Sequence, residues 1–168
     1  FITLYQLMDE VGPDATKFFF LFRKAESHLD FDLELAKKKT DENPVYYIQY
    51  AFVRATHIIA FGKENNLADE EISGADFSLL NTDREIEIIK KLKNFPLIVE
   101  RATKTFEVST ISHYILELAG LFHSYYQQYR VVNENRQISC ARLALVQCVY
   151  IVMRNGLDLL GISKPETM

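Results

Sequence analysis

Apolar residues recur along most of this chain at intervals of three and four, the spacing that lines one face of an α-helix. They seldom alternate with polar residues as a half-buried strand requires. The pattern predicts short helices over about 3–11 and 13–22, parted by Gly12 and opened by Pro13, and a third over about 31–39. Asn43-Pro44 opens a long helix that runs to about residue 66, because Asn caps and Pro fits the first helical position. A polar loop with Gly74 is expected over 67–81. Thr82, followed three residues later by Glu85, starts a helix over 82–94 by the capping-box pattern, and Pro96 starts another over 96–105. Helices over 109–130 and 139–160 complete the set, the last closed by Gly161. There is no internal repeat, low-complexity segment or coiled-coil heptad. The expected fold is all-α, a bundle of at least four longer helices with a shorter helical lead-in.

A helical wheel divides the helix that begins at Pro44 into two arcs. At 100° per residue, Val45, Ile48, Ala51, Phe52, Ala55, Ile58 and Ile59 gather in one arc, the core stripe. Tyr46, Tyr47, Tyr50 and Arg54 gather mostly opposite, extended by His57 and Phe61. A second apolar stripe fits a helix sandwiched inside a large bundle. Aromatic rings flanked by Arg are equally the composition that stacks unpaired bases and holds a phosphate. The wheel leaves both readings open.

With 168 residues, 48% apolar and 25% charged, the chain has the make-up of an ordinary globular domain with a real core. It starts at Phe1 with no signal-peptide pattern, and the start is expected to be a cut inside a longer chain. No apolar run near the length of a membrane span is expected, and no membrane partner. The net charge of −4 argues against nonspecific gripping of nucleic acid, so any such binding must come from local patches and shape. Cys140 and Cys148 lie about 12 Å apart by helical rise, too far for a disulfide. Both are expected to be reduced and mostly buried, which points to the cytosol.

The stretch "ENPVYYIQYAFVRA" resembles the segment that opens the anticodon-binding domain of arginyl-tRNA synthetases. Three more segments agree in the same chain order. "VGPDATKFFFLFRKAESHLDFDLELA" is similar to the stretch after the family's catalytic domain, "SCARLALVQCVYIVMRNGLDLLGI" to its final helix, and "KPETM" to its terminal Pro-Glu-x-Met. The resemblance implies the C-terminal part of a class I synthetase, with residues 1–40 a helical segment that follows the catalytic domain and residues 41–168 the anticodon-binding bundle. It implies an enzyme that joins arginine to its tRNA, with ATP and Mg in the parent's catalytic domain. No cofactor is expected in these residues, which lack a Gly-rich phosphate loop and the His-Ile-Gly-His-type and Lys-Met-Ser-Lys-Ser-type motifs. The implied partners are arginine tRNA and the parent's catalytic domain, in a cytoplasmic and monomeric enzyme.

Matched motif to motif, Tyr47 and Tyr50, with Met168 alongside, become a platform for anticodon-loop bases, and Arg54 and the more weakly placed Arg130 join them. Phe52 stands where many relatives have His and is expected to fill core; Lys17 stands where Arg is usual. Lys37, Lys38 and Lys39 read either as a solvated helix end or as a contact to the tRNA backbone; Lys90, Lys91 and Lys93 read the same way. His28, Asp30 and Asp32 match no metal spacing and fit a turn and a cap; His113 and His123 fit structural roles. "KFFFLF" is expected to anchor the junction with the catalytic domain. The alternative to tRNA recognition is a helical protein-interaction module whose tyrosine stripe docks another protein, a reading favoured by the acidic charge.

Overall fold

The computed structural model describes residues 3–28 and 30–168; the expectation about the start at Phe1 lies outside them. Helix α1 (Leu4–Val11) opens on a capping box between Thr3 and Gln6, and Gly12, at φ +84°, turns the chain into α2 (Pro13–Leu21). Asp32 caps the short α3 (Leu33–Lys37) by accepting from the Leu35 amide at 2.9 Å. Asn43 then joins α3 to α4 (Pro44–Glu64). Its Oδ1 accepts from the Val45 amide at 3.1 Å, and its Nδ2 donates to the carbonyls of Ala36 (3.0 Å) and Lys38 (2.9 Å). One buried amide thereby ends one helix and starts the next. The core arc holds as read. Val45, Ile48, Ala51, Phe52 and Ala55 are buried, and Phe52 stacks on Tyr150 at 5.1 Å.

Four element boundaries differ from the sequence reading. Residues 67–81 are not all loop: α5 (Asp69–Ser73) and a 3-10 turn (Phe77–Leu79) interrupt them, anchored by the buried Ile72. Both are too short for periodicity to register. Helix α6 (Asp83–Thr105) runs through Pro96 without a break. An interior proline costs about 3 kcal/mol in lost bonding and ring clash. Around it Phe95 and Ala102 are buried and Ile98 and Val99 pack on the core, which offsets that cost. Helix α8 (Arg136–Leu160) begins before Ser139, because Asn135 accepts from the amides of Gln137 and Ile138. Between α6 and α8, α7 (Ser109–Gln128) ends where Tyr129 turns extended, so Arg130 belongs to a loop.

Helix α8 is the central element, packed against α4, α5, α6 and α7. Its neighbours approach closely at two glycines. A Cβ on Gly62 would sit 2.3 Å from Leu143 Cδ2, and one on Gly156 2.3 Å from Ile115 Cδ1. By length and composition α8 could cross a membrane, with a window of mean hydropathy 1.4, so the expectation that no apolar run approaches that length does not hold. Half of that window is buried inside the bundle, and the core position accounts for its apolar character. Cys140 is buried as expected, whereas Cys148 is exposed. Eight residues rotate a helix by about 80° beyond two full turns, which carries the second thiol off the core face.

The lead-in and the tail meet on α4. Gln49 Nε2 donates to Asp14 Oδ2 (3.0 Å) and to the Ser163 carbonyl (3.1 Å), and the Ser163 amide donates to Asp14 Oδ1 (3.1 Å). Lys17 Nζ donates to the Gly161 carbonyl at 2.8 Å. Phe18 is fully buried in this corner, while Phe20 is 47% exposed.

Candidate functional site

The tyrosines at the start of α4 face the C-terminal half of α7 across an open groove of about 530 Å³. Asp41, Tyr46, Tyr47 and Tyr50 form one wall; Gly120, His123, Ser124, Tyr126 and Gln127 form the other. The rings are organised as a set. Tyr46 and Tyr50 lie nearly parallel, with centroids 6.5 Å apart and an angle of 7°. The His123 ring lies 4.2 Å from Tyr47 and 5.6 Å from Tyr50, at 16° to the latter. Arg54 places its guanidinium 5.1 Å from the Tyr126 ring centroid, a cation–π contact on the same face. Tyr47 is half-buried and Tyr50 is 38% exposed, so the rings are held by neighbours and still open to a ligand.

His123 is buried and both of its ring nitrogens are engaged. Nε2 lies 3.0 Å from the Tyr47 carbonyl and Nδ1 lies 3.1 Å from the Tyr126 hydroxyl. A carbonyl only accepts, so Nε2 carries the proton and Nδ1 accepts from Tyr126. Burial pushes the imidazole below its usual value, against the opposing pull of the Tyr47 carbonyl and the Asp41 carboxylate. Burial likewise raises the Tyr47 phenol, with Asp41 adding to it. Tyr126 is raised by burial and by the Tyr50 phenol, with Arg54 acting against both. The groove thus holds flat, polar-edged rings, the chemistry of a stacking surface, with the Asp41 carboxylate among its lining groups.

The structure brings Tyr47 and Tyr50 together in this groove and sets Arg54 beside it. Arg130 stands apart, exposed in the loop after α7, where it lines a separate depression with Phe61, Asn65 and Asn133. Arg54, His57 and Phe61 line a shallow surface between the two, so one face of α4 links them. Met168 ends the tail 45% exposed and does not line the groove. Lys37 pairs with Glu10 at 2.5 Å and Lys38 with Glu42; Lys39 is exposed. Lys91 pairs with Glu117 and lies 4.4 Å over the Tyr114 ring. His113 packs on Phe22, with centroids 4.0 Å apart.

Sequence reasoning missed the α7 wall. His123 and Tyr126 are three residues apart and share a helix face, which was a usable signal. Their partner Tyr47 lies 76 residues away, which no wheel reveals. Also unforeseen is the ion pair beneath the Arg130 loop. The fully buried Glu85 accepts from Arg142 Nε at 2.9 Å, Tyr125 Oη at 3.3 Å and the Thr82 amide at 3.1 Å. Arg142 Nη1 in turn donates to the Arg130 carbonyl at 3.0 Å.

Residues 48–168 match the family model of the DALR anticodon binding domain. Over all 168 residues the chain is 46% identical to an arginine–tRNA ligase of Desulforamulus reducens and 46% identical to one of Geobacter metallireducens. It spans only 30% of the length of either relative. Among solved structures, one assigned as an arginyl-tRNA synthetase from Campylobacter jejuni superposes with a TM-score of 0.87 at 28% identity, covering 100% of this chain and 36% of that one. The Thermus thermophilus arginyl-tRNA synthetase superposes at 0.73 with 27% identity, covering 95% of this chain and 27% of that one.

Proposed function

Since the chain belongs to the family of DALR anticodon-binding domains, we propose that it is the tRNA-recognition part of an arginine–tRNA ligase. The observation that carries this reading is the aromatic groove between α4 and α7, with its cation beside it. Tyr47 and Tyr50 stack anticodon-loop bases, each such contact contributing roughly 1–3 kcal/mol. Arg54 pairs with a phosphate or stacks through its planar guanidinium. Arg130 takes the backbone at the far end of α4. Met168, at the end of a tail held by Ser163, supplies an adaptable apolar edge to the platform. Of the three lysines in the lead-in, Lys39 is the one most open to a tRNA phosphate, because acids already hold Lys37 and Lys38.

In this reading residues 1–40 connect the bundle to the parent's catalytic domain, and residues 41–168 bind the tRNA. The parent is a cytoplasmic, monomeric enzyme that forms arginyl-tRNA from arginine, tRNA and ATP. ATP and Mg are used in the parent's catalytic domain in this reading. Basic side chains on the tyrosine face favour RNA and an apolar, uncharged surround favours a protein partner; Arg54, over the Tyr126 ring, favours a nucleic acid over that alternative.

Tyr50→Ala tests the platform. In the parent enzyme it is expected to weaken tRNA recognition by roughly 1–3 kcal/mol, read as a rise in tRNA KM, with arginine and ATP affinities nearly unchanged. A ring 38% exposed leaves little core to disturb, so Tm should move little. A fall in stability of about 3–5 kcal/mol, as for a buried aromatic, with tRNA KM unchanged in the folded enzyme, would overturn it.

A further inference from the structure

We propose that His123 sets the hydrogen-bond polarity of the groove, fixing the Tyr126 phenol as an acceptor, and that the groove thereby selects a nucleobase carrying an exocyclic amino group. The inference deepens the tRNA reading and rests on it for the nature of the ligand. Nε2–H of His123 is committed to the Tyr47 carbonyl at 3.0 Å, which leaves Nδ1 a bare lone pair 3.1 Å from Tyr126 Oη. The Tyr126 proton is spent on that lone pair, so its oxygen is left to accept, from the neighbouring Tyr50 hydroxyl or from a ligand in the groove. The Asp41 carboxylate on the opposite wall also only accepts. The hydroxyls of Tyr47, Tyr50 and Ser124 and the amide of Gln127 can turn either way. Arg54, a fixed donor, lies over the Tyr126 ring and does not line the groove. Among the lining groups, those with fixed polarity seek a donor, and the donor that a flat stacked ligand presents at its edge is an amino N–H, as on cytosine, adenine or guanine. His123 contacts no ligand in this scheme. It is a positioning residue that acts through Tyr126.

Protonation inverts the arrangement. With Nδ1–H in place, Tyr126 must accept from the imidazolium and swing its own hydrogen into the groove. The groups facing His123 are Tyr47 and Tyr50 from α4, Asp41 from the turn before it and Tyr126 from α7 itself. Burial raises the Tyr47 and Tyr126 phenols, so the switch belongs to the imidazole.

The test is a titration of the chain with synthetic hairpins bearing the anticodon arm of an arginine tRNA, and with hairpins in which one loop base at a time lacks its amino group. At neutral pH one such deletion is expected to weaken binding roughly fivefold to tenfold, the equivalent of one hydrogen bond. Tyr126→Phe and His123→Phe should abolish that difference, and His123→Asn, which keeps an acceptor beside Tyr126, should restore it. Mild acid should erase it in the unmodified chain. Equal affinity for every hairpin at neutral pH, or a difference untouched by Tyr126→Phe, would overturn the proposal. If no hairpin binds better than an unrelated RNA, the tRNA reading itself falls. The nitrogen NMR spectrum of His123 then decides the positioning role separately: an Nε2–H tautomer whose Nδ1 resonance shifts in Tyr126→Phe supports it, and an Nδ1–H tautomer or an unmoved resonance refutes it.

Discussion

Removing the Arg142 guanidinium leaves the Glu85 carboxylate fully buried against Tyr125 with no opposite charge. Arg142→Ala is therefore expected to cost about 3–5 kcal/mol, read from the urea midpoint, whereas replacing both partners by apolar residues of similar volume should cost far less. The same carboxylate has a pH signature. Burial works to raise it, but the Thr82 amide and hydroxyl and the Arg142 guanidinium outweigh burial and hold it below its ordinary 4.5. Its stabilisation is complete above that value and is lost as pH falls through the folded one. His123, lowered from 6.5, also favours the folded state most when neutral, so its loss comes earlier in an acid titration. Stability measured against pH should fall first below about 6.5, and fall again below about 4.5, with Arg142→Ala blunting the second step. Only part of this was legible in the chain. Thr82 and Glu85 announced a capping box, and the box is there, but the partner that makes Glu85 exceptional sits 57 residues away on another helix.

Helices in this bundle meet at glycines with different tolerances. Alanine raises intrinsic helix propensity by about 1 kcal/mol over glycine. At Gly62 and Gly156 the added methyl would press on Leu143 and Ile115, both fully buried, so their side chains must repack within a filled core, and overpacking costs about 1–3 kcal/mol. Gly62→Ala and Gly156→Ala should therefore lower Tm. At Gly120 the nearest atom is the Tyr47 hydroxyl at 3.7 Å, an ordinary contact, so Gly120→Ala should raise Tm slightly while narrowing the groove. Element by element, the sequence was most readable where a cap and a stripe coincide, as in α4. It was least readable where tertiary packing overrides a local rule, as where α6 carries Pro96 through its middle against α7. The two short helical pieces after Leu67 are shaped by a single buried side chain, Ile72, too little pattern to detect.

A chain of net charge −4 cannot hold RNA by bulk attraction. Of the cations assigned to the tRNA above, Lys39, Arg54 and Arg130 are free of an ion pair among the described residues. Three phosphate contacts on a single-stranded loop give a slope of log K against log salt of about −2, far shallower than for a basic RNA-binding domain. A salt titration of hairpin binding measures it, and a slope steeper than about −4 would mean that cations outside this set carry the contact. The all-α class and the long helices could be foreseen at this scale, but the joining of the first helices to the tail could not, since Asp14 and Ser163 are 149 residues apart. That joint behaves as a tie rod. Asp14 and Ser163 are bolted to each other and to Gln49, the residue next to Tyr50. A tug on α2 is transmitted along directional polar bonds straight to the helix that carries the aromatic rings. The linkage is stiff under tension, but water can compete for each of its bonds, so it can be released without disturbing the apolar interior.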